Sequence, residues 1–210
     1  MAGIRTFIAV NITPEIIEKM AMVQTALRNA ETAVQWARPD GLHLTLQFLG
    51  EVSEAHVPLI GQQLAKVIRT TKPFPITIAG VGAFPTMHHP RIVWAGVTEG
   101  AQALRALATK VEHAMRTLDF SPEEHPFTPH VTLGRVKSPR ETALLLTRLA
   151  QYADQSFGVM IVREIAVMRS ILSPAGAQYT PMRVLALDAP EVINASSSGD
   201  CDSADHTFSS

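Results

Sequence analysis

The sequence predicts an α+β fold built as two similar lobes about a central cleft. Three observations carry this. Short strands of alternating or apolar character are interleaved with stretches of helical periodicity. The order strand, helix, His-x-Thr strand, helix, strand occurs twice. The histidines of the two His-x-Thr strands stand 87 positions apart, which is one duplication and not a repeat array. Long helices mixed with hairpin-like joins then predict two antiparallel sheets, related by a pseudo-twofold axis and flanked by helices.

The elements follow in order. "TFIAVNI" reads as a strand, being rich in β-branched and aromatic residues. "TPEIIEKMAMVQTALRNA" reads as a helix, with Thr13 as N-cap and Pro14 in the first turn. Ile16, Ile17, Met20, Val23 and Leu27 recur at helical spacing. After the break "RPDG" comes the strand "GLHLTLQFLG", then a helix over 53–70, then the strand "FPITIAGVGAF". The second half opens with the strand "RIVWAGV" and the helix "GAQALRALATKVEHAMRTL". "EEHPFTP" is a loop, "HVTLGRV" a strand and "SPRETALLLTRLAQYA" a helix capped by Ser138. "FGVMIVREIAVMRSIL" forms one long or two short strands, and "MRVLALD" another. Residues 1–187 are expected to be one bilobal domain. Residues 188–210, small, polar and acidic, read as a disordered tail.

Composition bounds the function. The chain has 210 residues, and a formal net charge of -1 argues against gripping a long nucleic acid by bulk charge. Charge is uneven, however. Residues 130–185 hold seven Lys or Arg against three acids, which suits either a solvated surface or a modest anion site. The single cysteine, Cys201, permits no internal disulfide and favours a reducing compartment. The N-terminal apolar run is too short for a signal peptide or membrane span. A soluble cytoplasmic protein, monomeric and without membrane attachment, is expected.

Side chains at i and i+2 of a strand share a face. His43 and Thr45 therefore point one way, and Leu44 and Leu46 the other. His130 and Thr132 stand likewise opposite Val131 and Leu133. Should the halves meet about a twofold axis, two imidazoles and two hydroxyls face one another. Imidazole titrates near neutrality, so one can accept a proton from a nucleophile while the other gives one to a leaving group. The hydroxyls can donate to oxygens held between them. A phosphodiester fits such a site. Metal ligation is the competing use of His43 and His130, with His125 or the pair His88 and His89. No HExxH motif or carboxylate-rich cluster accompanies them. His56 and His113 fall in helices and read as surface residues. There is no GxSxG elbow and no Walker loop, and "GVG" at 80–82 reads as a bend.

The paired motifs "HLTL" and "HVTL" resemble the 2H phosphoesterases, and within them the bacterial RNA 2′,3′-cyclic phosphodiesterases, historically named 2′-5′ RNA ligases. "RTFIAVNI", "HLTLQFLGEV", "GVGAFP", "RIVWAGV", "FTPHVTLGRV" and "SILSPAGAQY" extend the resemblance over about residues 4–187. It implies a bilobal fold with a central cleft, no metal and no other cofactor. It also implies opening of a terminal 2′,3′-cyclic phosphate on RNA to a 2′-phosphate. By resemblance His130 is the proton acceptor that activates water and His43 the proton donor to the departing 3′ oxygen. Thr45 and Thr132 hold phosphate oxygens, and Arg135 is a phosphate contact. Strict alternation turns Arg135 away from the cleft, so it reaches the phosphate only where Gly134 bends the strand or the strand ends. Phe7, Trp36, Trp94 and Tyr179 could stack on a base, though Phe7 and Trp94 fit a core place better. Ser170 and Tyr179 match family positions without an assigned role.

Four readings stay open on sequence grounds: a cyclic phosphodiesterase acting on RNA ends, a non-catalytic RNA-end-binding module, RNA ligation through the reverse chemistry, and action on a small cyclic or ADP-ribose phosphate.

Overall fold

The structure, a computed structural model, describes residues 3–28, 34–138, 142–173 and 176–188. The expected tail lies outside them, except for Asp188. Among the described residues the chain forms nine strands and four α-helices. The order is β1 (Ile4–Asn11), α1 (Pro14–Leu27), β2 (Val34–Trp36), β3 (His43–Val52), α2 (Val57–Ile68), β4 (Phe74–Thr86) and β5 (His89–Glu99). Then follow α3 (Ala101–Arg116), β6 (His130–Val136), α4 (Ala143–Ala150), β7 (Ser156–Val162), β8 (Glu164–Ser173) and β9 (Gly176–Ala186).

Helix α1 buries the stripe its spacing predicts, with Ile17 only partly covered. Ile16, Met20, Val23 and Leu27 face inward from α1, and Leu104, Leu107, Val111 and Met115 from α3. Thr13 does stand at the N-cap of α1, where its carbonyl accepts from the amides of Ile16 and Ile17. Ser138 does not cap the fourth helix. α4 begins at Ala143, after Thr142, and residues 139–141 lie outside the description.

The strands pair in the order β7-β4-β5-β6-β3-β1-β8-β9, with β2 added beside β6. The pairings are antiparallel throughout. Two four-stranded antiparallel arrays, β7-β4-β5-β6 and β3-β1-β8-β9, meet at their inner strands through a single residue pair, Leu44 opposite Val131. Beyond that pair β3 and β6 diverge, and β2 runs against β6 in place of β3. The two-lobed duplication is thus present, with an exchange. β4 follows the first half in sequence but pairs with β5 of the second, while β8 pairs with β1 of the first.

The inner strands are anchored by their apolar faces. Leu44, Val131 and Leu133 are fully buried in the main core beneath the helices. Burial of each such side chain is worth about 1.5–3 kcal/mol. That load holds β3 and β6 in register and leaves their opposite faces to the cleft.

Candidate active site

Both His-x-Thr pairs open onto one cleft of about 680 Å³, which His43, Thr45, His130 and Thr132 all line. The two imidazoles are held alike. Nδ1 of His43 lies 2.8 Å from the carbonyl oxygen of Gly41, and Nδ1 of His130 lies 2.7 Å from that of Thr128. A carbonyl only accepts, so each Nδ1 carries the proton. Nε2 is then the atom that gains or loses a proton on the other side of each ring.

Aromatic rings fix the imidazoles from behind. Phe7 lies under His43 with centroids 4.7 Å apart, and Tyr179 meets it edge-on at 4.8 Å. Gly41 permits this, because a Cβ there would come within 3.1 Å of the Tyr179 ring. His130 meets Phe84 edge-on at 5.0 Å, and Phe84 packs on Trp94 at 5.2 Å. Phe7 belongs to a small second core with Ala9, Ala166 and Met168 on the cleft side of the sheet.

Burial among these rings depresses both imidazole pKa values below the ordinary 6.5. The hydrogen bonds to the carbonyls of Gly41 and Thr128 oppose this in part. The remaining influence differs between them. His43 is further lowered by His130, whereas His130 is further lowered by the guanidinium of Arg135.

Arg135 reaches the cleft through a β-bulge. Along β5 and β6, Trp94 stands opposite Thr132 and Val93 opposite Gly134, so Leu133 is the extra residue. The extra residue reverses the alternation, and Arg135 emerges on the face of His130 and Thr132. Thus β6 does bend at Leu133 and Gly134, as Arg135 required. β3 has the same device. Ala9 stands opposite Thr45 and Ile8 opposite Gln47, with Leu46 extra. Gln47 is thereby buried, and Phe48 turns into the cleft.

A buried side chain that the sequence reading passed over supports the bulge of β6. Gln24 of α1 donates through Nε2 to the carbonyls of Leu133 (2.8 Å) and Ala37 (3.0 Å). Its place on the apolar stripe of α1, beside Val23 and Leu27, was the available signal, and the structure leaves it 2% exposed. Its partner, 109 positions away, was not readable from the sequence.

Among the described residues, four basic side chains line the cleft and no acidic one does: Arg5, Arg38, Arg135 and Lys137. Arg38 is tied to Asp40 by paired contacts of 3.0 and 2.8 Å. The basic second-half stretch therefore contributes only Arg135 and Lys137 to the site among the described residues, and the first half supplies the other two. Trp36, Ser170 and Tyr179 also line it. Trp94 packs behind His130 through Phe84 and is not a lining residue.

Among the described residues the other histidines stand apart. His125 opens onto a separate pocket beside Glu112, Glu123 and Glu124. His56, His88, His89 and His113 lie outside the cleft. Among the described residues, no group of three or more His, Cys, Asp or Glu is arranged to hold a metal ion. Among the same residues, no helix is long and apolar enough to cross a membrane.

Comparison with known proteins finds relatives along most of the chain. The RNA 2′,3′-cyclic phosphodiesterase of Methanothermobacter thermautotrophicus is 34% identical over 88% of this chain and 99% of its own length. The protein of the same name from Archaeoglobus fulgidus is 38% identical over 86% of this chain and 98% of its own. The crystal structure of TT0787 of Thermus thermophilus matches with a TM-score of 0.74 and 28% identity, covering 89% of this chain and 100% of that one. The family model described as the 2′-5′ RNA ligase superfamily matches residues 14–172, and the chain belongs to that superfamily.

Proposed function

We propose that this protein hydrolyses the 2′,3′-cyclic phosphate at the end of an RNA, leaving a 2′-phosphomonoester and a free 3′-hydroxyl. The observation that carries the reading is the pair of imidazoles on one cleft, each with Nδ1 bonded to a backbone carbonyl and Nε2 left for proton transfer. The relatives' shared name supports the same substrate.

His130 takes the proton of a water molecule as its oxygen attacks phosphorus. Arg135 favours this role, since a neighbouring cation keeps His130 in the neutral, accepting form. The bond from phosphorus to the 3′ oxygen breaks, and His43 donates its Nε2 proton to that oxygen. Free His43 is disposed to be neutral, so the incoming phosphate must help to charge it. An anion beside an imidazole stabilises the imidazolium. Thr45 and Thr132 donate to the non-bridging oxygens, and Arg135 offsets the charge that gathers on them. No metal or other cofactor has a step in this scheme. The reaction is cytoplasmic and the catalyst a monomer.

The test is a product assay on an oligoribonucleotide ending in a 2′,3′-cyclic phosphate, with and without chelator, for wild type and His130→Ala. A 2′-phosphate product, unchanged by chelator and lost in the variant, is expected. Binding without turnover would leave a recognition module instead. Including an RNA with a 5′-hydroxyl end shows whether that hydroxyl replaces water, which would make ligation the reaction.

A further inference from the structure

β3 contributes to two pockets. His43, Thr45 and Phe48 open onto the cleft, while Leu46 and Gln47 line a separate pocket of about 350 Å³. Helix α3 forms one wall of this second pocket through Thr109 and Glu112, and the stretch 123–127 forms another.

Gln47 lines that pocket with only 1% of its surface exposed. Its Nε2 donates to the carbonyl of Ser121 at 3.3 Å, which leaves Oε1 as the accepting end of the amide. Among the described residues no group donates to Oε1. Buried acceptors are ordinarily partnered, and an apolar side chain would fill the same place without the deficit. The oxygen is therefore set for a donor that comes from outside the fold.

Its neighbours specify the kind of donor. Glu112, Glu123 and Glu124 line the pocket, and among the described residues no lysine or arginine does. One oxygen of Glu123 already accepts from the backbone N–H of Phe48 at 2.8 Å, which ties the 123–127 stretch to β3. Leu46 and Phe127 add apolar wall. Acceptors, negative charge and apolar wall together suit an aliphatic ammonium, whose N–H groups donate and whose methylenes pack. A bare divalent cation asks for more converging oxygens. Among the described residues the carboxylates and His125 do not converge as a metal-holding group.

We propose that this second pocket binds a small aliphatic diammonium ion of the polyamine class, with one ammonium at Gln47 and the other held by Glu112 and Glu124. The cleft itself does not compete for such a ligand. Among the described residues it is lined by four basic side chains and no acidic one, which repel a dication.

The experiment titrates the full chain with 1,4-diaminobutane by calorimetry at fixed ionic strength, with n-butylamine and magnesium chloride as comparison ligands. One saturable site per chain is expected. Its affinity should fall about 10-fold or more in the double variant Glu112→Gln, Glu124→Gln, and likewise in Gln47→Leu. Glu15→Gln, on α1 and outside the pocket, should leave it unchanged. n-Butylamine should bind more weakly than the diamine. If Gln47→Leu does not fold, the double glutamate variant decides. No saturable binding by wild type, or affinity kept in the double variant, overturns the proposal. n-Butylamine binding as tightly as the diamine overturns it too, and so does magnesium that displaces the diamine one for one.

Discussion

Gln24 donates a hydrogen bond to the carbonyl of Leu133 at 2.8 Å, from the first helix to the bulge of the second His-x-Thr strand. The same carbonyl accepts from the amide of Ala37, also at 2.8 Å. The bulge that aims Arg135 is thus satisfied from two directions. Gln24→Met keeps the length of the side chain and removes both of its donations. It should cost about 1–3 kcal/mol, the range for leaving a buried polar group short of a partner. Chemical denaturation measures that. If Gln24 acts by positioning Arg135, its effect on kcat/KM should largely vanish in an Arg135→Ala background; additive effects would reduce Gln24 to a stabilising residue.

Gly134→Ala probes the same bulge from the other side. A Cβ there would lie 2.8 Å from Cγ1 of Val34 and 3.0 Å from Cε3 of Trp36. β2 would have to move off β6, with a loss of about 1–3 kcal/mol, as for other overpacked sites. Melting curves should show the loss, and activity should fall with it because Arg135 is the next residue. A variant with wild-type stability and activity would mean that β2 yields freely.

His43→Ala and His130→Ala should each lower kcat by about 100-fold or more, the ordinary yield of a positioned acid or base. Circular dichroism and the thermal midpoint should stay close to wild type, since both rings are only half-buried at the cleft wall. Substantial turnover in either variant would refute its assignment.

The pH profile follows from the depressed imidazole pKa values. In the proposed reaction His130 must be neutral to accept a proton, so activity should be lost as pH falls through its pKa, which burial and then Arg135 hold below 6.5. Arg135→Gln removes the cation and should move the acid limb of kcat/KM to higher pH. A limb that stays in place, or moves down, would contradict the coupling. In the same proposed reaction His43 must be charged, so activity should be lost on its basic side. Bound phosphate raises its pKa, and the basic limb of kcat should lie above that of kcat/KM. Stability has its own window. Both imidazoles bind protons more weakly folded than unfolded, so stability is full above about pH 6.5 and declines as pH falls from there towards their folded values. Replacing either histidine by glutamine should flatten that decline in a denaturation series.

The pairs His43 with Thr45 and His130 with Thr132 were legible in the sequence because strand alternation is a local property. So was the apolar stripe of α1, which repeats within a few turns of chain. Local signals did not reveal β2, a strand of three residues whose only reason to extend is the edge of β6 that β3 leaves free. Nor did they reveal the exchange of β4 and β8 between the halves, since either order satisfies the same apolar pattern.

The chain by itself therefore determined which residues could share a face: two imidazoles, two hydroxyls and the leucines and valines that anchor them. Only the tertiary structure decided what stands beside them. Arg135 and Phe48 enter the cleft because Leu133 and Leu46 are extra residues against β5 and β1. A bulge is a mismatch of count between two strands, and in β6 it is sealed by a glutamine 109 positions away. No stretch of one strand carries that count, so the chemical asymmetry of the site, a cation on one half and an open ring on the other, arises from the pairing.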